Sequence, residues 1–140
     1  MILWQLLLVL YLTQPSLKSN DVDFKNEILT QVNLLRSKGC KCGGSKMKPA
    51  QPLVWDDKLE QSAREHATDM DKNDFFEHDG SDGRDFSQRI FDKGFNWSYV
   101  GENIAWGQKS ISEVVESWRT SPTHCLQMMH PKYTRMGVAK

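Results

Sequence analysis

Apolar residues recur at helical spacing in four stretches of the chain. Over residues 21–38, Phe24, Ile28, Val32 and Leu35 share one face, with Asn20 or Asp21 as cap and Gly39 as stop. A second helix is predicted after Trp55, capped by Asp56, with Leu59, Ala63, Ala67 and Met70 along one side. A third, over residues 85–93, turns Phe86 and Ile90 inward and ends at Gly94. The fourth has the clearest start. Ser110 and Glu113 have capping-box spacing, Ile111, Val114, Val115 and Trp118 form the apolar stripe, and Pro122 ends it. Residues 40–45, 48–52 and 78–83, rich in Gly, Pro, Ser and Asp, read as loops. Short strands are predicted within residues 96–104 and 135–139. Helices with a few separated strands predict an α+β arrangement. Trp55, Trp106 and Trp118 lie beside the stripes and are expected in the core. His66 reads as a packing or surface residue of the second helix.

The N-terminus follows a different rule. Residues 2–12 are apolar apart from Gln5, and Thr13-Gln14-Pro15-Ser16 breaks the run. A spanning helix needs about 20 apolar residues, so this stretch is too short to cross a bilayer and has the length of a signal-peptide core. Residues 1–19 are therefore read as a signal peptide and residues 20–140 as one domain. Nothing else in the chain is apolar enough to span a membrane, and the protein is expected outside the cell.

Composition supports a folded domain: 39% of residues are hydrophobic and 26% charged. Eighteen basic residues balance eighteen acidic ones, which argues against a protein that coats nucleic acid. In a secreted chain, Asn96-Trp97-Ser98 is a glycosylation sequon at Asn96. There are three cysteines, so at least one thiol lacks an intramolecular partner. Cys40 and Cys42 are too close in sequence to bridge each other readily, so Cys125 is expected to pair with one or the other.

Several catalytic signatures are absent, among them the Gly-x-Ser-x-Gly elbow, the Walker A loop, the dinucleotide fingerprint and the His-Glu-x-x-His zinc helix. Asp69, Asp71 and Asn73 begin like a calcium loop, but Asp74 and Gly80 stand where that loop needs Gly and Glu. What remains is an ordered set of short motifs. Phe76-Glu-His78-Asp-Gly80 comes first, then Gly101-Glu102-Asn103-Ile104-Ala105, then Trp118-Arg-Thr-Ser121-Pro-Thr-His124. Met129-His-Pro131 and Met136-Gly-Val138 follow.

This set resembles the CAP or SCP superfamily of cysteine-rich secretory, venom antigen and pathogenesis-related proteins, in the compact form common in bacteria and plants. The resemblance spans residues 24–139. It implies a three-layer α-β-α sandwich with a shallow cavity lined by two His and two Glu. Carried over motif by motif, these are His78, Glu102 and His124, while the position of the second Glu holds Ser121. Glu116 precedes Trp118 and does not match. Two imidazoles and a carboxylate are a plausible ligand set for a zinc-like ion with water completing the shell. With no metal, the same three residues tie their loops together.

The resemblance implies a secreted, non-enzymatic binding or signalling domain, with an extracellular protein or lipid as partner and His78, His124 and Glu102 as ligands of a divalent ion such as Zn2+. A metal-dependent hydrolase or protease is one alternative, and a carrier of small lipids or sterols is another. The long loop credited with sterol binding in larger members shrinks here to Ser121-Pro122-Thr123. The family domain also continues past its Gly-Val strand into a final strand that this chain, ending at Lys140, is expected to lack.

Overall fold

The structure, a computed structural model, describes residues 17–140, with side chains from Val22 onward. The apolar run at residues 2–12, expected to be a signal-peptide core, lies outside the described residues. Helix α1 runs Leu17–Lys38 and stops at Gly39, whose φ of +70° is a left-handed geometry that glycine adopts without a Cβ clash. Ile28 and Val32, one turn apart, are buried to 2% exposure, so the predicted stripe is the core face.

The chain then forms a hairpin of β1 (Cys40–Cys42) and β2 (Ser45–Met47), antiparallel, with Cys42 opposite Ser45. This segment was expected to be loop. Its composition is turn-like because the turn, Gly43-Gly44, takes up two of its few residues.

Strand β3 (Val54–Trp55) pairs in parallel with β4 (Arg135–Met136) across most of the chain's length. Val54 N–H donates to Thr134 O at 3.0 Å, and Asp56 N–H to Met136 O at 2.8 Å. The ladder packs on α1 through β3. At its other end Gly137 sits on the first turn of α2, where a Cβ would fall 2.7 Å from Asp56 O.

Helix α2 (Asp57–Asn73) is capped as predicted: Asp56 accepts from the N–H groups of Lys58 and Leu59. Helix α3 (Phe86–Asp92) carries a reciprocal capping box between Asp85 and Gln88. Helix α4 (Ile111–Thr120) is capped by Ser110. Pro122 does end α4, but it also opens a fifth helix, α5 (Pro122–Met128), that the periodicity did not reveal. Proline suits a first helical turn because it has no N–H to leave unpaired and its φ is already helical.

Ile28, Val32, Leu53, Val115, Trp118 and Met128 make one core, so α1, α4 and α5 meet there. Trp55 is half-buried against it. Trp106 is not in the core: it is 83% exposed, in a loop beside Gly107 at φ +88°. No strand forms over residues 96–104. That segment is fastened by side chains instead, with Trp118 Nε1 donating to Ile104 O at 3.1 Å.

One buried charge holds these parts together. Arg36, fully buried, donates from Nε to Gln51 O at 2.8 Å and from Nη1 to Met128 O at 2.7 Å and His130 O at 3.1 Å. Its Nη2 reaches Tyr133 O at 3.1 Å. The planar fork of a guanidinium can serve several carbonyls at once, which a lysine cannot do in the same geometry. Asn33, three residues earlier, clamps Leu53 through both its N–H and its carbonyl, at 2.7 and 2.9 Å.

Candidate functional site: a histidine-carboxylate cleft

Glu102 lies in the loop between α3 and α4, next to Gly101. A Cβ on Gly101 would press on the tips of the Gln127 and Tyr133 side chains, so the loop passes close to the end of α5 here. Both Glu102 oxygens are engaged. Oε1 lies 2.8 Å from His78 Nδ1, and Oε2 accepts from Arg89 Nη2 at 2.7 Å. Arg89, buried on α3, also donates from Nη1 to His78 O at 2.8 Å and Arg84 O at 2.9 Å. It thus fixes the carboxylate and the backbone of the histidine that faces it. The sequence reading missed Arg89. Its only signal was position: it precedes Ile90 on the inward side of a short helix.

His78 is the outer member, with its side chain 48% exposed against 16% for Glu102. Its ring meets Phe86 edge to face at 6.3 Å. His124 sits in the first turn of α5, where Nδ1 lies 2.9 Å from Ser121 Oγ. Asn103 Nδ2 donates to His124 O at 3.1 Å and ties the Glu102 loop to that helix. Burial, and secondarily the charge of His78, push the His124 imidazole below its ordinary pKa. Ser121 thus stays in the cluster as a partner of His124, although it is not the glutamate that the motif would place there. Glu116 is taken by Arg119, at 2.6 and 2.7 Å.

The set is more open than a closed metal cage. Among the described residues, only the sulfurs of Cys40, Cys42 and Cys125 form a trio of ligand-type atoms all within 4.8 Å of one another. With Nδ1 of each imidazole occupied by an oxygen of the protein, neither Nε2 has a protein partner among the described residues. A carboxylate or hydroxyl on one ring nitrogen orients the ring and fixes which nitrogen stays available.

His66, on α2, is buried and bonds Glu77 O through Nε2 at 2.9 Å, so it packs under the segment leading to His78. Asn96 is exposed in the loop after α3. Around the corner from His78, Phe86 also lines an open groove of about 500 Å³ with Trp97, Tyr99, Leu126 and Tyr133. Cys42 bridges Cys125 with a Cα separation of 5.4 Å, and Cys40 remains a thiol. The expected pairing thus resolves to Cys42 in this structure.

Comparison with known proteins bears on the family and the fold. The sequence model of the cysteine-rich secretory protein (CAP) family matches residues 29–140. The chain is 34% identical over 88 residues to the uncharacterized protein YkwD of Bacillus subtilis, covering 63% of this chain and 34% of that protein. It is 29% identical over 86 residues to the uncharacterized membrane protein YlbC of the same organism, covering 61% of this chain and 25% of YlbC. The chain thus matches about a third or less of the length of these relatives. A crystal structure of an extracellular SCP-domain protein from Bacillus anthracis superposes with a TM-score of 0.70 at 22% identity, over 91% of this chain and 42% of that one. The chain belongs to the cysteine-rich secretory protein family, and its fold is that of an SCP domain.

Proposed function

We propose that this member of the family is an extracellular binding domain, not an enzyme, whose His78 and His124 imidazoles take a divalent ion or a ligand polar group at the cleft. The observation that carries the reading is the pair of Nδ1 contacts, His78 to Glu102 and His124 to Ser121, which leave both Nε2 atoms without a protein partner. Imidazole nitrogens are ordinary zinc ligands, and with only two of them here water or a ligand group would have to complete the shell. Glu102, with both oxygens already bonded, orients His78 instead of ligating in this geometry. The open aromatic groove beside Phe86 favours a binding role, because its exposed Trp97 and Tyr99 offer contact area next to the polar cleft. The extracellular setting is supported by the N-terminal apolar run and by the extracellular SCP-domain protein that shares the fold. Among the described residues no helix is long and apolar enough to cross a membrane.

Calorimetric titration of the purified protein with zinc tests the reading. Binding that weakens more than about tenfold in His78→Ala and in His124→Ala, and not in His130→Ala, is the expected result. Equal binding by the wild type and the His78→Ala/His124→Ala double variant removes the metal reading. Chelator-sensitive cleavage of a peptide library would favour a metal-dependent hydrolase instead. Native mass spectrometry of co-purified lipid would favour a carrier.

A further inference from the structure

The three cysteines place a free thiol against a disulfide. Cys40 and Cys42 are two residues apart on β1, so strand alternation turns both side chains to the same face while Lys41 points to solvent. Cys125, fully buried on α5, faces them. Cys40 Sγ lies 3.6 Å from Cys125 Sγ and 3.7 Å from Cys42 Sγ. The turn after Cys42 is held against the start of α5, where a Cβ on Gly43 would lie 3.0 Å from Pro122 Cγ. Hairpin and helix thus pack against each other beside the three sulfurs.

We infer that these sulfurs form an intramolecular exchange centre, in which the bridge to Cys125 passes between Cys42 and Cys40. The Cys40 thiol loses its proton, turns from its place beside the bridge to lie in line with the Cys42–Cys125 bond, and the thiolate attacks Cys125 Sγ. The Cys40–Cys125 bond forms as the Cys42–Cys125 bond breaks. The electron pair leaves on Cys42 Sγ, which takes up a proton to become the free thiol. One thiol and one disulfide exist before and after, so the step needs no oxidant or reductant. Attack on Cys42 instead would join residues two apart on an extended strand. Their Cα atoms are about 6.6 Å apart, near the upper limit of disulfide geometry, so Cys125 is the favoured target. Because Cys125 adjoins His124, each exchange moves the attachment of the helix that carries His124 by two residues along β1.

Differential alkylation of the wild-type chain tests this. The protein is incubated at about pH 10, because burial holds the Cys40 thiol above the ordinary cysteine value of about 8.5. It is then quenched in acid with one maleimide, reduced, labelled with a heavy maleimide and mapped. The first label is expected on both Cys40 and Cys42, in a ratio within about tenfold of unity that does not change with protein concentration, and not on Cys125. Label confined to one of the two, or a ratio that scales with concentration, overturns the inference. In Cys42→Ser, the folded chain is expected to hold a Cys40–Cys125 bridge and no free thiol. A folded Cys42→Ser chain with both remaining thiols alkylated also overturns it, and if that variant does not fold the wild-type map decides alone.

Discussion

Arg89 and Glu102 form the least exposed ion pair of the cleft, Nη2 to Oε2 at 2.7 Å, and the arginine's other terminal nitrogen holds the carbonyl of His78. The carboxylate is therefore fixed from the protein side before any ligand arrives. Removing the arginine leaves a largely buried carboxylate without its partner. Arg89→Met should lower stability by about 3 kcal/mol in urea unfolding. Arg89→Met combined with Glu102→Gln should cost less than the sum of the two single changes, because the unpaired charge is then gone.

Ser121 occupies the place where the family motif would put a second glutamate, and it contacts His124 Nδ1 at 2.9 Å. Ser121→Ala removes that orienting contact and should weaken zinc binding about tenfold. Ser121→Glu supplies a carboxylate in reach of the same nitrogen and should bind zinc at least as tightly as the wild type. Calorimetry on the purified variants reads both effects.

His124 gives the fold a dependence on pH. Burial, helped by the charge of His78, lowers its pKa in the folded state, so the unfolded chain takes up the proton more readily. The contribution to stability is present above the unfolded value of about 6.5 and is lost as pH falls from there through the folded value. Thermal unfolding in chelator should show a steeper loss of Tm between about pH 7 and pH 5 for the wild type than for His124→Gln. Equal slopes would mean that other groups carry the pH dependence.

Arg36 is the structural counterpart of Arg89. Its guanidinium serves four carbonyls from two separate parts of the chain, Gln51 and the stretch from Met128 to Tyr133. Burial lowers its pKa, but arginine stays charged at any ordinary pH. Arg36→Lys keeps the charge and loses the fork, which leaves buried carbonyls unpaired. The expected cost is about 2–4 kcal/mol in urea unfolding, with little change in zinc affinity.

The helices were legible because their signals are local. Asp56, Asp85 and Ser110 cap where their neighbours begin to repeat, and Gly39 stops α1 at the predicted residue. Helix α5 was hidden because its proline reads as the end of α4 as readily as the beginning of a new helix. Residues 96–104 looked strand-like by composition, but strand formation depends on a partner that the sequence does not place beside them.

The order of the motifs was enough to nominate His78, Glu102, Ser121 and His124: the stretch Gly101-Glu102-Asn103-Ile104-Ala105 is distinctive by itself, and the others gain their weight from following in order. The sequence also showed that Cys125 has two candidate partners. Which one it takes, and that the other sulfur stays within 4 Å of the bridge, depends on how β1 meets α5. Arg89 and Arg36 belong to the same class of fact. Each is an ordinary charged residue in its own helix, and its role comes from carbonyls and a carboxylate that are distant along the chain. Capping and amphipathic spacing act within a few residues, so a sequence records them directly. Burial of a charge is settled only when the tertiary structure brings its partners to it.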